Sequence, residues 1–198
     1  IVQHGVAIAV SPKLGVQSMA ELTQHLKNKA GNGAYGSNSN TSIAAAELYK
    51  EKMGLQTTQV RYKDANTMMI DLLRGDLDWI SSDIGFLASR ANSLKILALT
   101  SSTRTSWMPD LPTMAERGMP NFEVRSWNGM YAPAGTPDAV IQRYSNAVKR
   151  AMSNPALLKK LEQCCVPTLL MADDFAEFVR KDRALWAERA AFAGLNPE

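Results

Sequence analysis

The sequence predicts an α/β fold in which a mainly parallel sheet is flanked by helices. Over the first two-thirds of its 198 residues, short apolar segments of strand type alternate with longer segments of helical periodicity. This rhythm is typical of βαβ units, whose strands pair in parallel. The composition agrees with a globular chain, because 45% of the residues are apolar and 21% are charged.

The elements of the first two-thirds are predicted from local signals. Residues 5–10 form an apolar strand that ends at Ser11-Pro12, and Ser18 is the predicted N-cap of a helix that runs to about Lys29. Further strands are predicted at residues 34–37, 58–62, 77–82 and 95–100. Further helices are predicted at residues 40–53, closed by Gly54, at residues 66–73, with Gly75 just after it, and as a short helix at Phe86 and Leu87.

The last third is predicted to contain helices and one extended segment. A short helix opens at residues 110–113 and ends at Gly118, and residues 122–132 are extended. Thr136 is predicted to cap the next helix, with Pro137 in its first position. Asn154-Pro155 separates that helix from a second short one, and Asp173 is predicted to cap the final helix.

The charge and hydropathy patterns exclude two classes of partner. No apolar run approaches the length of about 18–20 residues that a membrane-spanning helix needs, so we expect no membrane insertion. The 22 Lys and Arg residues are dispersed and the formal net charge is only +3, so we expect no nucleic-acid partner. The first ten residues lack the pattern of a signal peptide, so any export signal is expected to be already removed or never present.

The cysteines and acidic residues give no prediction of a metal or a cofactor. Cys164 and Cys165 are adjacent and have no histidine nearby, and we expect inert, partly buried thiols. Asp76, Asp78 and Asp83 flank or end one predicted strand. Turn capping and solvation are the favoured interpretation of these three carboxylates, with acid–base or metal chemistry as the alternative.

Residues 31–36 match the dinucleotide-binding pattern G-x-G-x-x-G. In that pattern the glycines follow a strand and open a helix, so that the helix N-terminus meets the pyrophosphate. Here the glycines follow a predicted helix and enter a predicted strand. We therefore predict a helix C-cap and a loop at this position, and no nucleotide cofactor.

Catalytic constellations are also sparse. His4 and His25 are the only imidazoles, and neither is paired in sequence with a serine or cysteine nucleophile. We expect two ordinary surface histidines and no enzymatic activity. A hydrolase-type enzyme that uses His25 or the aspartates is kept as an alternative.

The polar turn at residues 36–42 is the strongest candidate for a binding site. It leads directly into an Ala-rich helix, and one of Ser39, Asn40 or Thr41 must cap that helix. A helix start leaves backbone N–H groups unpaired and has a partial positive charge, so it can bind a carboxylate. The strand ends at residues 62–66 and 81–83 are predicted to lie at the same edge of a parallel sheet as this turn. We therefore expect a small-molecule cleft at that edge.

Six blocks of the sequence resemble the Bug or TctC-type receptors, the extracytoplasmic solute-binding proteins of tripartite tricarboxylate transporters. The matching blocks are residues 35–37 with the polar turn after them, residues 62–63, residues 71–78, residues 97–100, residues 109–118 and residues 126–137. The resemblance covers essentially the whole chain. It implies a fold of the type II periplasmic-binding-protein kind, in which two lobes close on a ligand.

The resemblance also implies a division of the chain. Residues 1–130 correspond to the ligand-binding second lobe of the family. Residues 131–198 correspond to a helical return segment of the first lobe, which is otherwise largely missing, so that only a partial second unit is expected. We expect such a chain to expose apolar surface and to be able to self-associate.

The family binds small organic carboxylates, including di- and tricarboxylates, amino acids and aromatic acids. By resemblance, this chain is expected to capture such an acid in the periplasm and deliver it to membrane permease subunits, without catalysis. The ligand-binding positions carried over from the family are Ser37, Asn38, Ser39, Asn40 and Thr41 as an anion cradle, Tyr62, Lys63 and Asp64 as the next wall, and Asp83 as a polar end group.

Two departures from the family pattern affect this expectation. The cradle is about two residues shorter than usual and lacks the customary His, where Ile43 or Ala44 stands. Asp64 stands where the family usually has Gly, so it opposes an anion unless Lys63 compensates, and it suits a ligand amino group instead. An interaction or sensory module without tight small-molecule binding is the other alternative to a receptor.

Overall fold

The computed structural model describes residues 2–162 and 165–194, which form seven strands and seven α-helices. The strands are β1 (Val2–Val10), β2 (Gly33–Ser37), β3 (Thr57–Arg61), β4 (Trp79–Asp83), β5 (Lys95–Leu99), β6 (Arg125–Asn128) and β7 (Val166–Pro167). The α-helices are α1 (Met19–Asn28), α2 (Asn40–Met53), α3 (Ala65–Arg74), α4 (Ile84–Ala88), α5 (Asp138–Met152), α6 (Pro155–Leu161) and α7 (Ala172–Phe192). Short 3₁₀ helices lie at Pro12–Leu14 and Ala115–Arg117.

The main sheet has the strand order β3-β2-β4-β1-β5. β2 pairs in parallel with β3 and with β4, whereas β1 is antiparallel to both β4 and β5. Strands β2 to β5 therefore run in one direction and β1 runs in the other, which confirms a mainly parallel sheet. Their carboxyl ends share one edge of the sheet, which we call the rim; it is marked by Ser37, Arg61, Asp83 and Leu99.

Strand β1 is longer than the predicted residues 5–10 because it passes through two sets of strand partners. Residues Val6–Val10 are buried and pair with β4, and residues 2–5 pair with β6 and β7 instead. Residues 2–5 of β1 have no alternation of apolar and polar residues that could predict a strand. Its hydrogen-bonding partners come from residues more than 100 positions later, so only the tertiary structure extends the strand.

The core fills both faces of the main sheet. On one face Trp79 packs with helices α1 and α2, stacked on Tyr35 at 4.8 Å between ring centroids and edge-on to Tyr49 at 5.3 Å. On the other face Ile80 packs with Met68 of α3 and with α4. Consecutive residues of β4 thus point to opposite faces, and each face is covered by its own helix pair.

Most predicted boundaries lie within two residues of the observed ones, and their caps are confirmed. Ser18 caps α1 through its side chain, and Gly54 and Gly75 end α2 and α3 in the left-handed conformation. Asn154 and Pro155 separate α5 from α6 as predicted, and the structure adds that Asn154 is the N-cap of α6. Gly33 begins β2 after α1, so the glycines of residues 31–36 enter a strand as predicted. The short helix predicted to open at residues 110–113 forms only one 3₁₀ turn, which ends at Gly118.

Two predicted caps are wrong. Pro137 is the N-cap of α5 and makes no side-chain cap, while the Thr136 hydroxyl donates to the carbonyl of Pro133 at 2.7 Å. Helix α7 begins after Met171, whose backbone is extended at φ −129° and ψ 149°, so Asp173 lies within the first turn instead of before it. The Asp173 carboxylate still lies near the positive end of the helix dipole, where a negative charge stabilises the helix.

Two further expectations concern the chain as a whole. No helix within residues 2–162 and 165–194 is long and apolar enough to cross a membrane. Cys165 is buried and its thiol donates to the carbonyl of Leu161, whereas Cys164 lies outside the described residues. The division of the chain near residue 130 stays a prediction.

Candidate functional site

Three strand–helix junctions meet at the rim, and they contain all nine predicted site residues. The first joins β2 to α2, the second joins β3 to α3, and the third joins β4 to α4. Because β2 lies between β3 and β4 in the sheet, the β2–α2 junction is the central one. Neighbouring strands of a sheet are about 4.8 Å apart, so the three junctions are close neighbours.

A capping box closes the β2–α2 junction. The Ser39 hydroxyl accepts from the backbone N–H of Ser42 at 3.1 Å, and the Ser42 hydroxyl accepts from the N–H of Ser39 at 3.0 Å. The Ser42 hydroxyl is also 3.3 Å from the N–H of Asn38. The next two backbone N–H groups, of Asn40 and Thr41, have no acceptor among the residues that the structure describes. Helix α2 therefore presents two open donors at the rim.

Ser37 lies beneath this turn and is fully buried. Its hydroxyl accepts from Gln59 Nε2 at 3.2 Å, and its carbonyl accepts from the backbone N–H of Tyr62 at 2.9 Å. Ser37 thus joins the β2–α2 junction to the β3–α3 junction. Of the five predicted cradle residues it is the one whose side chain is held inside the sheet.

Two side-chain contacts that hold the β2–α2 junction were not predicted, one from Arg61 and one from Ser82, although Ser82 lies in the strand end at residues 81–83 that was placed at this edge. Arg61 is the last residue of β3, and its Nη2 donates to Asn40 Oδ1 at 3.0 Å. Ser82 of β4 donates from its hydroxyl to Asn38 Oδ1 at 3.3 Å. Neither contact has a sequence signal, because each depends on which strands are neighbours. The guanidinium of Arg61 adds a positive charge beside the open end of α2.

Asp64 is the N-cap of α3, a role that the sequence analysis did not assign to it. Its Oδ1 accepts from the backbone N–H groups of Asn66 and Thr67, both at 2.9 Å, and its Oδ2 accepts from the Thr67 hydroxyl at 2.6 Å. The hydrogen bond from the Thr67 hydroxyl, with those from the backbone, lowers the pKa of the Asp64 carboxyl below its ordinary value. The side chain is exposed, so an ionised carboxylate stands at the rim.

Of the two residues before Asp64, Tyr62 is held by a hydrogen bond and Lys63 is exposed to solvent. The Tyr62 hydroxyl donates to Asp71 Oδ2 at 2.6 Å, and burial together with this hydrogen bond raises the pKa of Tyr62 to about 12. The phenol is therefore held by α3 as a neutral group. Lys63 is exposed and forms no ion pair within the described ranges.

Asp83 closes the third junction as the N-cap of α4, which confirms the capping role expected for it. Its Oδ1 accepts from the N–H groups of Gly85 at 2.9 Å and Phe86 at 3.2 Å, and its Oδ2 lies 4.0 Å from Nδ1 of His4. His4 Nε2 is also 3.0 Å from Nδ2 of Asn128 in β6. The imidazole therefore lies where β1 leaves the main sheet, between the rim and the smaller strands.

Two expectations fail at the opposite edge of the sheet. Asp78 was expected to cap a turn in solvent, but it is buried and accepts from Lys29 Nζ at 2.7 Å and from the N–H of Ala34 at 2.9 Å. His25 is not an ordinary surface histidine, because its Nε2 lies 3.0 Å from the same carboxylate. The prediction failed because the partners come from α1 and β2, far away in the sequence.

The described residues contain no group of three or more His, Cys, Asp or Glu side chains placed to hold a metal ion. What the rim offers is a set of hydrogen-bond donors and charges. Two open backbone N–H groups lie in its centre, with an arginine beside them and a carboxylate on each neighbouring junction.

Comparison with known proteins gives the family. The model of the tripartite tricarboxylate transporter family receptor matches residues 1–188. The chain belongs to this receptor family. Among curated relatives, protein BugT of Bordetella pertussis is 28% identical over 188 residues, a match that covers 91% of this chain and 57% of BugT. The chain thus spans about half the length of the first curated relatives that it matches.

Solved structures of similar proteins have the same fold. The chain is similar to R. palustris Rpa4515, solved with adipate, with a TM-score of 0.89 and 27% identity, covering 100% of this chain and 68% of that one. It is also similar to a protein described as a periplasmic transporter, with a TM-score of 0.83 and 25% identity, covering 96% of this chain and 65% of that one. The expected fold of the periplasmic-binding-protein kind is therefore confirmed.

Proposed function

We propose that this chain forms the ligand-binding part of a periplasmic receptor that captures a small organic carboxylate for a tripartite tricarboxylate-type transporter. The observation that supports this most directly is the pair of open N–H groups of Asn40 and Thr41 at the amino end of α2. The nine predicted residues, from Ser37 to Asp83, are retained in this proposal with the roles described above for them.

The physical argument concerns the replacement of water around a carboxylate. An anion in water is surrounded by hydrogen-bond donors, and a binding site must supply donors in fixed positions to replace them. The open end of a 14-residue helix supplies two N–H groups and a partial positive charge without any side-chain rearrangement. Arg61 adds a full positive charge next to them. Capture without chemistry is the function that this arrangement serves best.

Two further observations support the proposal. The relative Rpa4515 was solved with adipate, a dicarboxylate, which gives the ligand class for a similar protein. The chain connects the main sheet to β6 at two places: strand β1 pairs with both, and Val124 directly precedes β6. At these two places Val6 of β1 and Val124 are both hydrogen-bonded to Thr100. Two neighbouring connections of this kind suit a receptor in which one part closes over a ligand bound to the other part.

A proline substitution tests the backbone donor itself. Asn40 occupies the first helical position of α2, where proline is well tolerated, and the residue before it, Ser39, is already extended at φ −151° and ψ 158°. Asn40→Pro therefore removes the N–H and keeps the helix. Asn40→Ala is the matched control, because it removes the same side chain and keeps the N–H.

We expect Asn40→Pro to bind adipate, or the best acid of an organic-acid panel, about 10- to 100-fold more weakly than Asn40→Ala by calorimetry. This range corresponds to one hydrogen bond to a charged group, about 1.5–3 kcal/mol. Arg61→Gln should weaken binding as well, with a loss that shrinks at high salt. Equal affinities of the proline and alanine variants, at equal thermal stability, would remove the α2 end from the binding site.

A further inference from the structure

We infer that protonation of His4 ties the small strands β6 and β7 to the rim of the main sheet. The neutral imidazole is hydrogen-bonded to Asn128 of β6 alone, and the protonated imidazole is held by Asn128 and by Asp83 at the same time. This inference goes beyond the proposed function, because it concerns how two parts of the chain are joined and requires no ligand.

His4 lies at the point where β1 changes its strand partners. His4 itself pairs with β6, whereas Val6, two residues later, is paired with Asp83 of β4. Val2 is paired with Asn128. Paired residues, and residues two apart in one strand, point to the same face, so the side chains of His4 and Asn128 share a face of the small strands. The imidazole therefore lies between a partner on β6 and a partner on the main sheet.

The neutral imidazole is bound to β6. Asn128 Nδ2 lies 3.0 Å from His4 Nε2, and because an amide nitrogen only donates, Nε2 is the acceptor and carries no proton. The single proton of the neutral ring is then on Nδ1, which faces Asp83 Oδ2 at 4.0 Å. That distance is too long for a hydrogen bond. In this state the side chain of His4 is bonded to β6 and not to the rim.

Protonation gives the ring a second partner. With protons on both nitrogens, Nε2 donates, and Asn128 keeps its contact by turning its amide so that Oδ1 accepts. The N–H at Nδ1 then belongs to a cation beside Asp83, and a charge-assisted hydrogen bond is about twice as strong as a neutral one. Oδ2 of Asp83 is available, because the N–H groups of Gly85 and Phe86 are both bound to Oδ1. A shift of about 1 Å closes the gap to hydrogen-bonding distance.

Asp83 is the charged group that responds to this proton. Among the described residues it is the one carboxylate within 4.0 Å of His4. Arg125 of β6 is paired with Gly5, so its side chain lies on the other face of the small strands, where it forms an ion pair with Glu123 at 3.1 Å. Strand β7, helix α4 and the other residues of β1 contain no ionisable side chain. An imidazole gains its proton between about pH 8 and pH 5, where aspartates are ionised.

The added bond affects how the small strands move. Strand β1 carries the chain from the small strands into the main sheet, so a bond between His4 and Asp83 resists movement of the small strands away from the rim. We expect the small strands to open less often at low pH. A receptor whose parts move relative to one another then has a movement that depends on pH.

The tautomer of the ring tests the first step without any substitution. Long-range proton–nitrogen NMR spectra of the nitrogen-labelled chain distinguish a proton on Nδ1 from a proton on Nε2. His4 and His25 are the two histidines of the chain, so His4→Gln identifies the signals of His4. We expect the form with the proton on Nδ1 at pH 8. The other form would overturn the inference, because its Nε2 could not accept from Asn128.

Asp83→Asn tests the second step. It removes the charge and keeps the N-cap of α4, because asparagine caps helices as well as aspartate does. Amide hydrogen exchange of β6, corrected for the intrinsic effect of pH, is compared between wild type and variant at pH 5.5 and pH 8. We expect exchange to be about threefold slower in the wild type than in the variant at pH 5.5, the effect of one exposed ion pair, and equal at pH 8.

His4→Gln supplies the matched background, since glutamine cannot gain the charge. In that background Asp83→Asn should leave the exchange of β6 unchanged at both pH values. A difference between wild type and Asp83→Asn that is the same at both pH values, or that persists in the His4→Gln background, would overturn the inference. No ligand is present in these measurements, so the inference and the proposed function can fail separately.

Discussion

Replacing Asp78 with asparagine should destabilise the chain far more than the same change at Asp76, two residues away. Asp78 is 6% exposed and accepts hydrogen bonds from Lys29, from His25 and from the backbone N–H of Ala34. Asp76 is exposed. The pair therefore compares a buried carboxylate that joins α1, β2 and β4 with a solvated one of the same chemistry.

The magnitude follows from the three contacts. Lys29 and His25 keep 38% and 29% of their side-chain exposure, so both can turn to water when the carboxylate is removed, and their loss costs less than that of a fully buried ion pair. Asparagine keeps one oxygen that can still accept from the N–H of Ala34, but its NH2 group then replaces the carboxylate oxygen that faces Lys29 and His25. Two hydrogen bonds to a charged oxygen are lost, each contributing about 1.5–3 kcal/mol, and the partly exposed partners recover some of this from water, so we expect a net loss of about 3 kcal/mol. For a chain of this size that lowers the thermal midpoint by roughly 6–12 °C.

The effect should depend on pH in a defined direction. Burial by itself would raise the pKa of the Asp78 carboxyl, but the hydrogen bonds from Lys29, His25 and Ala34 outweigh it, so the pKa lies below the ordinary value of 3.8. A carboxyl whose pKa is lowered in the folded state contributes stability above the unfolded pKa, and loses it as pH falls through the folded pKa. The difference between wild type and Asp78→Asn should therefore be full at neutral pH and shrink below about pH 4.

Urea unfolding followed by tryptophan fluorescence is a suitable assay, since the fully buried Trp79 directly follows Asp78 in the chain. Wild type, Asp78→Asn and Asp76→Asn are compared at pH 7 and in steps down to pH 3.5. Equal unfolding midpoints of the two variants at pH 7 would refute the argument. So would a difference that grows as the pH falls, because the sign of the pKa shift would then be wrong.

Two other substitutions test packing and the strand crossing. Gly36→Ala would place a Cβ 2.7 Å from Leu77 and 2.8 Å from Met68, so we expect the free energy of unfolding, measured with urea, to fall by about 1–3 kcal/mol. Gly5→Ala is the control, because the atom nearest to its Cβ would be 3.5 Å away, and we expect little change in stability. Thr100→Val removes a buried hydroxyl that contacts the carbonyls of Val6 and Val124 at 3.0 and 2.6 Å. We expect it to lower stability by about 1–3 kcal/mol and to speed amide exchange at residue 124, and Thr100→Ser should keep the slow exchange.

Local signals predicted most of the helix boundaries. The capping serine of α1 and the glycines after α2 and α3 act through hydrogen bonds and backbone angles within four residues, so a short stretch of sequence contains all the information needed. Thr136 and Asp173 show the limit of this reasoning. Each is a good capping residue, but the path of the chain before the helix decides which residue is extended, and in both cases the helix begins elsewhere.

The candidate site was predicted in part. The polar turn before α2 and the gathering of strand ends at one edge followed from the alternation of strands and helices. The contacts of Arg61 with Asn40 and of Ser82 with Asn38 were not predicted, because each of them joins neighbouring strands. Asp64 was predicted as a wall residue, and the tertiary structure shows that its carboxylate caps α3.

The sequence by itself determined the order of strands and helices, the caps that depend on adjacent residues, and the membership in a receptor family. The tertiary structure decided the reversed direction of β1, the place of α2 between two aspartates, and the burial of Asp78 under Lys29 and His25. The physical reason is the range of the interactions. Turns and caps form within a few residues, whereas the order of strands in a sheet brings together side chains that are tens of residues apart and brings their charges within reach of one another.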